Sequence, residues 1–174
     1  ENPSNPINHL RLGSVLIATR ETEKAEGVFR NAAERFPEVE EFRFLLAATA
    51  RTTGDYDLAI ESVKAALAIK ESADALGLYG ALLADRGESA RAEALFQKAI
   101  SINPDHFNSL HDLGKLLVKQ RRYADALPYL QRASALYPQF PDVHYQLFLT
   151  YSRLKRKTDA DREFRLFKQF SNEN

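Results

Sequence analysis

Four histidines, His9, His106, His111 and His144, and the 24 aspartates and glutamates are the side chains best suited to acid–base or metal chemistry. Cysteine is absent, which removes disulfides, thiolate metal sites and a thiol nucleophile. A metal site on a helix needs ligands one turn apart, at i, i+3 or i+4. No histidine here has a second histidine or a carboxylate at that spacing, and His111 has Lys115 there instead, whose charge repels a cation. Acidic pairs such as Glu40-Glu41 and Asp55/Asp57 fall at turns and helix starts, where they cap or complement the helix dipole. There is no glycine-rich phosphate loop, HExxH pair or Gly-x-Ser-x-Gly elbow. These residues point to no catalytic centre, no metal and no cofactor, and the chain is expected not to be an enzyme.

Charge narrows the partners. Lys plus Arg equals Asp plus Glu at 24 each, so no global field gathers nucleic acid or an anionic membrane. No apolar run is long enough to cross a bilayer. The charge is nevertheless uneven: net −5 from Glu1 to His106 and net +5 from Phe107 to Asn174. A basic cluster, Arg153, Lys155, Arg156 and Lys157 with Lys119, Arg121 and Arg122, is read as solvated turns or as a rim that steers an acidic segment. Glu1 to Pro6 carry neither the basic nor the apolar stretch of a targeting signal, and with no methionine the chain reads as a processed or excised piece.

What must position these residues is a repeat. Phe107 to Phe140 aligns without a gap on Ala73 to His106, placing Leu113-Gly114 on Tyr79-Gly80, Ala126 on Ala92, Leu130 on Phe96, Ala133 on Ala99 and Pro138 on Pro104. The frame extends to five units at 6–39, 40–72, 73–106, 107–140 and 141–174. Position 20 of the unit is Ala25, Ala59, Ala92, Ala126 and Ala160; position 24 is Phe29, Val63, Phe96, Leu130 and Phe164. Within each unit, apolar residues recur at three- and four-residue steps in two stretches, the period of an amphipathic helix. Polar turns such as Thr53-Gly54-Asp55 part the two stretches, and Asn103-Pro104 and Tyr137-Pro138 end the second. Small residues at position 8 (Gly13, Ala47, Gly80, Gly114) are expected to oppose the position-20 alanine where the helices come closest.

This spacing and these marks resemble the tetratricopeptide repeat (TPR) family, with its large residue, Leu-Gly, aromatic, Ala, Phe, Ala, Pro pattern. The resemblance implies an all-α fold, ten antiparallel helices wound as a right-handed α-α superhelix, in one array spanning residues 1–174. It also implies a non-catalytic protein–protein interaction scaffold that binds a partner peptide or helix in its concave groove. The alternative is a substrate-docking arm of a larger enzyme whose catalytic domain lies elsewhere. Nucleic acid and membrane insertion are not expected.

In the family, positions 2, 5, 6, 9, 12 and 13 of each first helix face the ligand. Carried onto this chain they give Leu10, Arg11 and Ser14 in the first repeat, and Phe44, Leu45, Ala48 and Arg51 in the second. The third supplies Leu78, Ala81 and Ala84, and the fourth Asn108, His111, Asp112 and Lys115. Tyr145, Gln146, Leu149 and Arg153 complete the set. Phe44, Leu45 and Leu78 would form an apolar docking patch. Neither the family's carboxylate clamp nor its asparagine ladder is spelled by these residues.

Three departures stand out. Glu71 replaces proline beside a one-residue deletion, so the junction of repeats 2 and 3 is expected to be less regular; Pro128 sits inside a second helix; and repeat 5 carries Phe148 and Phe167 at small positions. Phe167 and Phe170 suggest self-association through the last repeat, and Asn2-Pro3-Ser4-Asn5 reads as the tail of a preceding repeat.

Overall fold

A computed structural model describes residues 5–172, so the proposed preceding-repeat tail lies, apart from Asn5, outside the described residues. Ten helices follow one another: α1 (Pro6–Ala18), α2 (Thr22–Arg35), α3 (Glu40–Thr53), α4 (Tyr56–Ile69), α5 (Ala73–Asp85), α6 (Ser89–Ile102), α7 (Phe107–Lys119), α8 (Tyr123–Leu136), α9 (Pro141–Arg153) and α10 (Lys157–Asn172). No strand occurs among the described residues. The all-α, helix-turn-helix fold expected from the period is what forms.

Local chemistry sets the helix ends. Pro6 and Pro141 open α1 and α9, where a missing N–H costs nothing. Side chains of Asn5, Asp55, Ser72 and His106 accept from early backbone amides of α1, α4, α5 and α7. The one-residue deletion falls wholly in a linker: three residues, Lys70 to Ser72, join α4 to α5, while both helices keep full length. Ser72 also donates its hydroxyl to Glu40 at 3.2 Å, tying the shortened junction down. Pro128 is exposed within an unbroken α8.

The chain divides into two compact units, residues 1–86 and 87–174. In the first, α1 packs on α2, α2 on α3, α3 on α4, and α5 on both α3 and α4. One core cluster gathers Ala25, Phe29, Ala32, Ala33, Phe42 and Leu46. A second gathers Ala47, Ala50, Ala59, Val63, Ala75 and Leu82. Burying a ring such as Phe29 completely stabilises the fold by about 1.5–3 kcal/mol. In the second unit α7 packs on α6 and α8, and α9 on α7, α8 and α10. Phe96, Leu110, Leu113, Leu117, Leu130, Val143 and Leu147 are its largest fully buried apolar side chains. The buried hydroxyls of Thr49 and Thr150 donate to the carbonyls of Leu45 and Gln146, each at 2.8 Å.

The glycine contacts differ from expectation. A Cβ added at Gly13 would overlap the Phe29 ring, and one at Gly114 would lie 2.5 Å from Leu130 Cδ2. At these two position-8 glycines the closest approach is therefore to position 24, not to the position-20 alanine. The large position-24 side chain crosses the hairpin and fills the space the glycine leaves.

Candidate functional site

The faces of α7 and α9 carry a network of polar groups built around His111. Its side chain is only 10% exposed, yet both ring nitrogens meet carboxylates: Nδ1 lies 2.9 Å from Asp112 and Nε2 2.7 Å from Asp142. Burial opposes a charge on this ring, but the two carboxylates outweigh it and raise the pKa to about 9. An imidazolium that donates from both nitrogens satisfies both acids. Asp142 in turn is held down to about 2, chiefly by the His111 hydrogen bond and, against the cost of burial, by Lys115 and Gln146. Lys115 Nζ stands 3.5 Å from Asp142, and the Gln146 amide donates to it at 3.3 Å. Phe107 stacks on the His111 ring at 5.9 Å and Phe140 meets its face edge-on at 5.5 Å. The network bridges α7 to α9 and fixes their separation.

Of the expected contact residues in this unit, Asn108, Lys115, Tyr145 and Arg153 are exposed, and Asp112 and Leu149 half-buried. His111 and Gln146 are buried, so they form the floor from which the others project. Asp142 was missed. Its signal was available: a carboxylate at position 2 of one repeat following a histidine at position 5 of the repeat before.

In the first unit Arg11 and Ser14 are exposed and Leu10 is half-buried. Phe44 and Leu78 are half-buried against the second core cluster and Leu45 against the first, so the patch is partly spent on packing. Ala48 is half-buried and Ala81 buried. Arg51 binds Asp85 at 2.9 Å.

The other histidines do structural work. His144 Nδ1 pairs with Glu163 at 2.8 Å and Nε2 donates to the Pro138 carbonyl at 2.7 Å. Burial works against its charge, but Glu163 and that carbonyl raise its pKa; Glu163, despite its own burial, is lowered by His144 and Arg162. His106 caps α7, and His9 lies edge-on to Phe36 at 5.7 Å and Phe42 at 6.3 Å. Phe167 packs 5.2 Å from Tyr145 and Phe170 5.5 Å from His144, leaving both rings half-buried within their own repeat. Among the described residues no three His, Asp or Glu side chains converge as a metal site would require, and no helix is long and apolar enough to cross a membrane.

Helix-turn-helix pairs that recur in frame along the chain define an α-helical repeat protein. The chain belongs to the tetratricopeptide repeat family: two models of that repeat match it, over residues 10–74 and 71–139. Proteins of this family are in general scaffolds for protein–protein interaction. The chain is 25% identical over 112 residues to the TPR repeat-containing protein YpiA of Bacillus subtilis (strain 168). That match covers 64% of this chain but 26% of YpiA, so the chain spans about a quarter of the length of this curated relative. Among solved structures it is similar to PilF of Pseudomonas aeruginosa, at 23% identity and a TM-score of 0.85, covering 95% of this chain and 76% of that one. It is likewise similar to PilW, a widely conserved type IV pilus biogenesis factor, at 26% identity and a TM-score of 0.84, covering 96% and 78%.

Proposed function

We propose that the chain holds a peptide or helix of a partner protein on the face of its first helices, with α7 and α9 supplying the principal contacts. The observation that carries this is the arrangement around His111. A buried, doubly paired imidazolium ties α7 to α9, while Asn108, Lys115, Tyr145 and Arg153 stand out from that floor. A preorganised floor leaves only the projecting side chains to be ordered on binding, which limits the entropic cost of association. Tyr145, 38% exposed, is the aromatic anchor of the face.

The test is a photo-crosslinking amino acid placed at Tyr145 and, separately, at Pro128, which is exposed on α8. A discrete adduct to one protein is expected from position 145 and not from position 128. Equal yields from both would remove the face from the account. The likeness to PilW favours, as a second reading, a partner drawn from a pilus-type assembly; an adduct with a protein unrelated to any such assembly would eliminate it.

A further inference from the structure

All five hairpin turns use one backbone device. The residue in the same turn slot has a positive φ each time: Arg20 at 62°, Gly54 at 90°, Gly87 at 82°, Arg121 at 62° and Lys155 at 60°. In three of the turns the next amide reaches back five residues: Glu21 N to Leu16 O at 2.8 Å, and Arg122 N to Leu117 O and Arg156 N to Tyr151 O, both at 2.9 Å. This is the Schellman closure of a helix end, and glycine takes its left-handed slot without strain. The chain uses glycine there twice and a cation three times. Packing does not ask for the cation, because a Cβ built on Gly54 or Gly87 meets nothing within 4 Å. Arg121 and Lys155 are themselves exposed. A strained backbone position that carries a charge with no internal use points to an external one.

In the second unit two of these slots share one end. Lys119 closes α7 and Arg153 closes α9, helices that pack side by side, and each turns straight into its partner helix. Lys157 opens α10 at that end. Three neighbouring carboxylates are already bound, Glu93 and Asp125 by Arg122 and Asp159 by Arg156 and Arg162, which leaves Asp161 as the exposed acid nearest this end. Among the described residues Lys119, Arg121, Arg153, Lys155 and Lys157 take part in no ion pair. None of the large apolar side chains that are exposed lies in these turns, so there is nothing to enter a lipid surface. Tyr123 is half-buried and Tyr151 buried beneath Arg156, so no open ring awaits a nucleobase.

We propose that this end of the second unit is a docking surface for an acidic segment of a partner protein, recognised by charge complementarity to these five cations. The surface adjoins the α7–α9 face and shares Arg153 with it, but its test alters only Arg121 and Lys155 there, so its failure is distinguishable from the failure of that face. The test uses a labelled oligoglutamate peptide as probe, with vesicles of phosphatidylcholine and phosphatidylserine as a second arm. Peptide binding is expected to saturate and to weaken as salt is raised. The double variant Arg121→Gly, Lys155→Gly is expected to bind about five- to tenfold more weakly, two exposed charge pairs being lost. Because glycine suits both slots without strain, that variant should unfold at or above the parent's denaturant midpoint, which separates lost binding from lost fold. Arg121→Lys with Lys155→Arg should bind as the parent does. Arg20→Gly, the same slot set beside Glu21 and Glu23, should have no effect. Undiminished binding by the double variant, an equal loss from Arg20→Gly, or binding to the vesicles but not to the peptide would each overturn the proposal.

Discussion

His111 shows how one side chain holds two repeats in register. Its pKa in the folded chain, about 9, lies above the ordinary histidine value, so the folded state binds this proton more tightly than the unfolded state. The stability it contributes is therefore fully present below about pH 6.5 and is lost as pH rises through about 9. Asp142, lowered to about 2, sets the other edge: its contribution is present above the ordinary aspartate range and is lost as pH falls through about 2. Asp112 and Asp142 are about a third exposed, so the contribution is on the order of 1–3 kcal/mol and not the full value of the shift. NMR titration of the His111 ring is expected to give a midpoint near 9. The stability gap between the parent and His111→Gln should narrow between pH 7 and pH 10 by roughly that amount. A midpoint at the ordinary histidine value would mean that the ring is neutral and the bridge is no more than a contact.

Among the helices, the same substitution should have opposite signs at two glycines. Gly114 on α7 faces Leu130 on α8 so closely that a methyl group must displace that side chain. Gly114→Ala is expected to cost about 1–3 kcal/mol, the range for overpacking a filled core. Gly27 on α2 has nothing within 4 Å of an added Cβ and sits in a helix interior. Gly27→Ala should stabilise by about 0.5–1 kcal/mol, since alanine loses less backbone freedom on entering a helix. Chemical denaturation of the two variants decides the matter; a loss at Gly27 or none at Gly114 would show that the hairpins are packed differently.

Over the whole molecule, apolar surface is distributed unevenly among equivalent positions. Val15 of α1 is 58% exposed, while its counterparts Thr49, Leu82, Leu116 and Thr150 are at most 6% exposed. Leu12 is 51% exposed, against 6% or less for Leu46, Leu113 and Leu147. On α10, by contrast, Asp161, Arg165 and Lys168 are exposed and polar, and Phe167 and Phe170 are half-covered. The outward side of α10 is polar where that of α1 is apolar, and exposed apolar surface favours association in water. Concentration-dependent association, measured by sedimentation, is therefore expected to fall with Leu12→Lys, Val15→Lys and to change little with Phe167→Lys, Phe170→Lys. The reverse result would return the C-terminal rings to the centre of self-association.

The sequence by itself determined the helix count, the repeat frame and the buried columns, because a 3.6-residue period and a recurring unit are local properties summed along the chain. Ala25, Ala59, Ala92 and Ala126 could be named as core from spacing alone, and all are fully buried. From family resemblance it also named residues of α7 and α9, of which Asn108, Lys115, Tyr145 and Arg153 are exposed while His111 and Gln146 are buried. Tertiary structure decided what these residues touch. His111 and Asp142 are 31 residues apart and meet only because α7 and α9 lie side by side. Phe44 and Leu78 look like free surface in a list of positions, yet half of each is taken by a neighbouring helix. The left-handed cations at Arg121 and Lys155 could not be read from composition, since lysine and arginine are common in turns and only the backbone angle marks these as strained. Period fixes which way a side chain points from its own helix; which neighbour it meets, and so its charge state and its exposure, depends on how the helices come together.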